Sequence, residues 1–211
     1  LVRQAVQGVD YIFHMAALVS VPESMSKISE CIDINVNGLL NVLEEASAAG
    51  VKKIVLASSA AIYGDNPTVP KLEAMYPEPK SPYAITKLDG EYYLNMFRAE
   101  GKINTAAVRF FNVFGPRQDP SSEYSGVISR FISALIAGET PVIYGDGEQT
   151  RDFVYVADVV KANILAAAAP AGIYNIACGR SISLNSLLKA IGYSLGKDVH
   201  PQYRAARSGD I

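Results

Sequence analysis

Hydrophobic positions along the chain follow two alternating patterns. Short apolar runs rich in β-branched residues predict buried strands at 11–16, 54–58 and 105–111. Longer segments in which apolar residues have helical spacing predict helices at 34–49 and 82–100. Strands that alternate with helices in this way are typical of a mostly parallel sheet covered by helices. The sequence therefore predicts an α/β protein with a Rossmann-like sheet.

The pattern changes in the second half of the chain. A segment rich in proline, serine and aspartate, 116–125, precedes a predicted helix that ends near Ala137 and a short strand at 142–144. We predict a first domain at 1–115 and a smaller substrate-binding lobe at 116–211, with some of the chain returning to the first domain.

The glycine-rich turn that opens a Rossmann-type sheet does not occur in the sequence. That turn has the pattern G-x-G-x-x-G or G-x-x-G-x-x-G and follows the first strand. We therefore expect the N-terminal part of the nucleotide-binding domain, roughly 60 residues for two βα units, to precede this sequence in a longer protein.

The composition is that of an ordinary globular protein. The 211 residues are 49% hydrophobic and 19% charged, with a formal charge of −2 and with Lys and Arg scattered along the chain. Neither a basic surface for nucleic acid nor an apolar stretch long enough to span a membrane is predicted. The two cysteines, Cys31 and Cys178, indicate neither a disulfide framework nor a zinc site. We expect a cytoplasmic protein with no nucleic-acid partner and no membrane association.

The strongest chemical signal is a tyrosine and a lysine four residues apart. Pro82 suits the first turn of a helix, and Tyr83 and Lys87 then share one helical face. A nearby ammonium group favours the phenolate, so we expect Lys87 to lower the pKa of Tyr83. Two common residues at a common helical spacing also fit an ordinary helix, and only their context favours catalysis.

That context is a pair of serines at the end of a predicted strand. Ser58 and Ser59 follow the apolar run 54–57, and ligands of α/β proteins bind at the carboxyl ends of the strands. We expect Ser59 to hydrogen-bond the same substrate oxygen as Tyr83. The alternative is that the two serines only cap the turn, but the order of the motifs favours the functional interpretation. His14 and His200 have no partner at metal-ligand spacing, so no metal site is predicted.

These motifs, taken with several others, resemble one known family. The chain is similar over essentially its whole length to extended short-chain dehydrogenases/reductases, in particular the NAD-dependent nucleotide-sugar epimerase/dehydratase family. Further matching blocks, in family order, are 14–17, 35–38, 109–117, 145–147 with 151–153, and 207–210.

The resemblance implies NAD as the cofactor and a UDP-sugar as the substrate. The acidic residue that usually decides between NAD and NADP lies in the expected N-terminal part, so the sequence leaves this choice open. The positions that match cofactor-binding residues of the family are Ala16, Ala17, Leu18, Asn35, Ala57, Ser58, Tyr83, Lys87 and Phe111. The positions that match its substrate-binding residues are Asn112, Val127, Tyr144, Arg151, Phe153, Arg207 and Asp210. A guanidinium group can bind phosphate oxygens through two hydrogen bonds, although a lone arginine is more often part of a surface salt bridge.

The resemblance also implies a reaction, epimerisation of a UDP-hexose at C4 through a 4-keto intermediate. Ser59, Tyr83 and Lys87 match the catalytic residues of the family. Dehydratases and decarboxylases of the family carry acidic residues where this sequence reads Ala60-Ala61-Ile62. Another nucleotide-sugar enzyme of the family, or a catalytically silent scaffold, remains an alternative. A homodimer formed through helices 34–49 and 82–100 is expected, and whether an N-acetylated sugar is accepted stays open.

Overall fold

The computed structural model describes residues 1–120 and 126–206. By their contacts, these residues divide into two units. The first unit consists of Leu1–Phe111 and Asp158–Ile176, and the second of Asn112–Ala157 and Ala177–Ile211.

The secondary structure of the described residues alternates strands and helices. The strands, in chain order, are β1 Tyr11–His14, β2 Lys53–Ser59, β3 Asn104–Phe110, β4 Asn112–Phe114, β5 Val142–Tyr144, β6 Thr150–Arg151, β7 Phe153–Tyr155, β8 Gly172–Ile176, β9 Ile182–Ser183 and β10 Gln202–Arg204. The α-helices are α1 Val2–Ala5, α2 Val21–Ser26, α3 Ile28–Ile32, α4 Gly38–Ala48, α5 Pro82–Ala99, α6 Val127–Ala137, α7 Val156–Ala168 and α8 Leu184–Leu195. A π-helical turn, Asp33–Asn37, precedes α4, and a 3-10 helix, Ala60–Tyr63, follows β2.

The first unit contains a parallel sheet with the strand order β1-β2-β3-β8. One row of the sheet runs through Phe13, Val55, Ala106 and Gly172, which are register partners. Because all four strands are parallel, their carboxyl ends lie at one edge of the sheet, and β2 ends there at Ser59. The predicted α/β class and mostly parallel, Rossmann-like sheet are confirmed.

Helices cover both faces of this sheet. On one face, α4 buries Leu39 and Leu43 against Ile54 and Leu56 of β2. On the other face, Val55 of β2 packs in a cluster with residues of β3 and α7. Alternate residues of a strand point to opposite faces, and burial on both faces explains why β2 reads as one continuous apolar run.

The second unit has a smaller core of its own. Short strands pair as β4 with β7, β5 with β10 and β6 with β9, the first two pairs parallel and the last antiparallel. The core lies between α6, β5 and α8, and its most buried members are Phe131, Ile143 and Leu188. Among the described residues no helix is both long enough and apolar enough to span a lipid bilayer.

Candidate active site

Helix α5 carries the predicted tyrosine and lysine, and its start is well defined. Ser81 is the N-cap, because its Oγ accepts a hydrogen bond from the backbone N–H of Ala84 at 3.2 Å, and Pro82 occupies the first turn. Tyr83 and Lys87 therefore lie one turn apart on the helix.

Ser59 and Tyr83 meet at the carboxyl edge of the sheet. The Ser59 hydroxyl accepts a hydrogen bond from the backbone N–H of Ala61 at 3.1 Å. It also lies near enough to the phenol of Tyr83 to favour the phenolate and lower the pKa of Tyr83. Lys87 Nζ lies 5.7 Å from the centroid of the Tyr83 ring and donates to the carbonyl oxygen of Ala57 at 2.8 Å. The three residues predicted as catalytic thus form one cluster.

The pKa of Tyr83 is not the one predicted. We expected Lys87 to lower it, but in the structure the pKa of Tyr83 is raised above its ordinary value. Burial of the phenol is the largest cause, and the hydrogen bond with Ser59 offsets only part of it. The prediction that the pKa of Tyr83 is lowered was therefore wrong. Ionisation of Tyr83 near neutral pH needs a further positive charge beside the phenol.

Lys87 has an unusual environment for a lysine. Burial lowers its pKa from 10.5 to about 8. Within residues 1–120 and 126–206, the carbonyl oxygen of Ala57 is the one hydrogen-bond acceptor of its ammonium group. An ammonium group has three N–H donors, so two of them are available to hydroxyl groups of a ligand. This donor set fits the ribose of a nucleotide cofactor.

The loop after β1 is held against α5 by Asn35. The Oδ1 of Asn35 accepts from the backbone N–H of Leu18 at 2.7 Å, and its Nδ2 donates to the Leu18 carbonyl oxygen at 3.1 Å. The same Nδ2 donates to Thr86 Oγ1 at 3.0 Å. Ala16 and Ala17, which precede Leu18, have small side chains that are exposed and half-buried. This leaves room for a bulky ligand at the end of β1.

The other predicted cofactor residues lie at the same edge of the sheet. Ala57 and Ser58 are buried near the end of β2. Phe111 directly follows β3, and the centroid of its ring lies 6.5 Å from that of Tyr63. The fold therefore brings all nine predicted cofactor residues to strand ends of the sheet or to the helices packed beside it.

The predicted substrate residues that are described all belong to the second unit. Asn112 begins β4, where its Nδ2 donates to the carbonyl oxygen of Asp152 at 3.1 Å, and its register partner is Phe153. Val127 and Phe153 pack against the same apolar core. Arg207 and Asp210 lie outside the described residues. The remaining two positions are Tyr144 at the end of β5 and Arg151 at the end of β6.

Two charged residues with no predicted role also lie beside the cluster. Glu91 follows Lys87 by one turn and is 4% exposed, and Arg109 of β3 is 3% exposed. They form a bidentate ion pair with N–O distances of 2.9 and 2.7 Å. A signal was present, because Glu91 continues the spacing of four and a charge within an apolar strand needs a buried partner. The sequence does not show which partner it has.

Comparison with known proteins gives one consistent result. The model of the NAD dependent epimerase/dehydratase family matches residues 1–177. UDP-glucose 4-epimerase from Mycolicibacterium smegmatis is 41% identical over 206 residues, and the alignment covers 96% of this chain and 65% of that protein.

Solved structures are similar over the whole described fold. UDP-N-acetylglucosamine 4-epimerase from Methanobrevibacter ruminantium M1, in complex with UDP-N-acetylmuramic acid, has a TM-score of 0.97 at 43% identity, covering 100% of this chain and 68% of that one. UDP-glucose 4-epimerase from Thermotoga maritima, with UDP-glucose, has a TM-score of 0.95 at 39% identity, covering 99% and 69%. This chain spans about two thirds of the length of these relatives.

The resemblance inferred from the sequence motifs is confirmed by these matches. The family model covers most of the chain, and the relatives are similar to it in both sequence and fold. This chain therefore belongs to the NAD dependent epimerase/dehydratase family.

Proposed function

We propose that the protein epimerises a UDP-hexose at C4 with NAD as its cofactor, through a 4-keto intermediate. The observation that carries this proposal is the cluster of Ser59, Tyr83 and Lys87 at the carboxyl edge of the parallel sheet. Family membership and the named activities of relatives at about 40% identity support it.

In this reaction the chain's own residues handle the proton and hold the reactants. Tyr83, as the phenolate, accepts the proton of the sugar 4-hydroxyl while hydride leaves C4. As the phenol forms, the single O–H of Ser59 turns from Tyr83 to the sugar oxygen and donates a hydrogen bond to it. The two free N–H donors of Lys87 bind ribose hydroxyls. Bound at this edge, oxidised NAD supplies a hydride acceptor and a positively charged ring. After the keto sugar has rotated, proton and hydride return to its opposite face, which inverts the configuration at C4. The reaction has no net redox change.

The turn after Ser59 favours epimerisation over loss of water or carbon dioxide. It reads Ala60, Ala61 and Ile62 and forms a 3-10 helix in which Ile62 is fully buried. No carboxyl group is available from these three residues to protonate a leaving hydroxyl. A dehydratase or decarboxylase would need such an acid from another segment.

We assign the residues around the cluster by the same argument. Cofactor contacts come from Ala16, Ala17, Leu18, Asn35, Ala57, Ser58, Tyr83, Lys87 and Phe111. Substrate contacts come from Asn112, Val127, Tyr144, Arg151, Phe153, Arg207 and Asp210. The protein is proposed to act as a homodimer in the cytoplasm, where its free cysteines, Cys31 and Cys178, stay reduced.

The test is conversion of UDP-glucose and of UDP-N-acetylglucosamine by the full-length protein with NAD, with the epimers resolved by chromatography. Tyr83→Phe should lose at least about 100-fold in kcat, because the proton acceptor is gone while the shape of the site is kept. Tyr193→Phe, at a tyrosine that is 91% exposed on α8, is the matched control and should convert substrate at the wild-type rate. Equal activity of Tyr83→Phe and wild type, or no conversion of either sugar, would contradict the proposal.

A further inference from the structure

We propose that the buried Glu91–Arg109 ion pair positions Ser59 against Tyr83, which makes Glu91 and Arg109 positioning residues of the reaction. The kinetic part of this inference rests on the proposed function. The structural part rests on the contacts of the first unit alone.

The buried ion pair by itself contributes little to the stability of the fold. Arg109 Nε and Nη2 donate to the two carboxylate oxygens of Glu91. The side chain of Arg109 is 4% exposed and that of Glu91 is 2% exposed. Taking two charges out of water offsets much of their attraction, and well-packed apolar residues can often replace such a pair without loss of stability. Its further hydrogen bonds therefore indicate what the pair does.

The first of these bonds reaches the residue before Ser59. The hydroxyl of Ser58 donates to Glu91 Oε1 at 2.5 Å, and Ser58 is 2% exposed. Together with the bond from Lys87 to Ala57, this means that two consecutive residues of β2, Ala57 and Ser58, are hydrogen-bonded to α5 directly before Ser59. The end of β2 is thereby held in one register against the helix.

The second bond reaches the turn after Ser59. Arg109 Nη1 donates to the Tyr63 hydroxyl at 2.8 Å, and that hydroxyl donates to Asn175 Oδ1 at 2.7 Å. Tyr63 closes the 3-10 helix whose Ala61 N–H donates to Ser59 Oγ. The ion pair therefore fixes the backbone on both sides of Ser59, because Glu91 binds the residue before it and Arg109 binds the turn after it.

The same arginine also holds the loop that leads into α5. Arg109 Nη1 donates to the carbonyl oxygen of Glu73 at 3.2 Å, and the backbone N–H of Asn175 donates to Glu73 Oε1 at 2.8 Å. This loop runs from Gly64 to Ser81, the N-cap of the helix that carries Tyr83. The segments that carry Ser59 and Tyr83 are therefore both hydrogen-bonded to the ion pair.

The variant Glu91→Met/Arg109→Met tests this role. Apolar replacement of both charges leaves no unpaired buried charge, so the fold is expected to persist, while Ser58 and Tyr63 lose their partners. Since the Ser59 hydrogen bond lowers the pKa of Tyr83, loss of that bond should raise its titration midpoint. The midpoint is measured by NMR of ¹³Cζ-labelled tyrosine, with the Tyr83 signal assigned from Tyr83→Phe. The other ionisable groups beside Tyr83, Lys87 and Cys31, are unchanged in the variant.

Kinetics give the second readout. A displacement of a catalytic group by about 1 Å can cost on the order of 100-fold in rate, so kcat of the double variant should fall about 10- to 100-fold. KM for the UDP-sugar should stay unchanged, because the substrate contacts proposed above do not involve the pair. A merely structural role would change neither the Tyr83 midpoint nor kcat in folded protein.

Lys53→Met is the matched control. Lys53 is a buried cation at the opposite end of the same strand, where its Nζ donates to the carbonyl oxygen of Ala169 at 2.6 Å. It should keep the wild-type Tyr83 midpoint and kcat. If the double variant does not fold, Tyr63→Phe removes one hydroxyl of the network and should still raise the midpoint.

The outcomes separate this inference from the proposed function. An unmoved Tyr83 midpoint in the folded double variant would overturn the inference, whether or not the protein is an epimerase. A raised midpoint in a protein that converts no UDP-sugar would sustain the positioning role and contradict the proposed function.

Discussion

Lys87 is 6% exposed, and its ammonium group donates to a backbone carbonyl oxygen rather than to a carboxylate. Burial lowers the pKa of Lys87, and burial also raises the pKa of Tyr83, so each group favours its neutral form. The sequence motif predicts which two residues are neighbours. It does not predict the direction of the Tyr83 shift, because burial depends on residues that are distant in the sequence.

The pKa of Lys87 leads to a prediction about stability. Below pH 8 both the folded and the unfolded protein carry the charged lysine, and its burial costs free energy in the folded state. Between pH 8 and 10.5 the unfolded chain binds more protons, so this cost declines as the pH rises. Relative to Lys87→Met, the free energy of unfolding of the wild type should rise by up to about 3 kcal/mol over this range. Urea denaturation at pH 7.5 and pH 10 measures the change.

Lys52 provides a contrast on the protein surface. Its hydrogen bond with Asp10 raises its pKa, so any stability that Lys52 contributes is present below its unfolded pKa and is lost as the pH rises through its folded pKa. Relative to Lys52→Met, the free energy of unfolding of the wild type should therefore show no such rise between pH 7.5 and pH 10. If the free energies of unfolding of the wild type and Lys87→Met differ by the same amount at pH 7.5 and at pH 10, burial does not disfavour the charge of Lys87.

At the scale of elements, α5 agrees closely with its predicted range, and the segment predicted as a helix at 34–49 is helical as far as Ala48. Ser81 and Pro82 are local signals, so the start of α5 could be read directly. What the sequence did not predict is that the second segment begins as a π-helical turn, Asp33–Asn37, before α4. The turn contains Asn35, whose partners Leu18 and Thr86 are 17 and 51 residues away. No local pattern can contain this information.

Close packing of α5 on β2 depends on Gly90. A Cβ atom at this position would lie 2.9 Å from Leu56 Cδ2 and 3.1 Å from Leu39 Cδ2, and both leucines are buried. Alanine favours a helix by about 1 kcal/mol over glycine, but overpacking costs about 1–3 kcal/mol. Gly90→Ala should therefore lower the free energy of unfolding, by up to about 2 kcal/mol, as measured by denaturant titration.

Gly38→Ala is the matched control for this prediction. A Cβ at Gly38 would meet the Asp33 carbonyl oxygen at an ordinary 3.8 Å, so only the helix preference remains and stability should rise. Equal stabilisation by both substitutions would mean that Gly90 is not needed for the approach of α5 to β2.

At the scale of the whole molecule, an exposed apolar stripe on α5 bears on assembly. Ile85, Tyr92 and Met96 are 47%, 60% and 42% exposed and lie on one side of the helix, opposite the residues that it buries. An apolar stripe of this kind on a helix is suited to packing against a second copy across a two-fold axis. This is the face through which we propose the homodimer.

A charge within this stripe should prevent association. Tyr92→Glu is expected to convert the dimer to monomer in sedimentation velocity, because burying an unpaired carboxylate costs several kcal/mol. Ile164→Glu, at an equally exposed apolar position on α7, should leave the dimer intact. A dimer that persists in Tyr92→Glu, or a monomeric wild type, would contradict the proposed interface.

The pattern of residues along the chain is enough to predict the α/β class, the main strands and helices of the first unit and the shared helical face of Tyr83 and Lys87. These follow from periodicity, helix-capping residues and spacing, all of which act over a few neighbouring residues. Only the tertiary structure decided that Arg109 pairs with Glu91, that Asn35 joins two segments and that the pKa of Tyr83 rises. The physical reason is that desolvation and buried hydrogen bonds depend on groups brought together from distant parts of the chain.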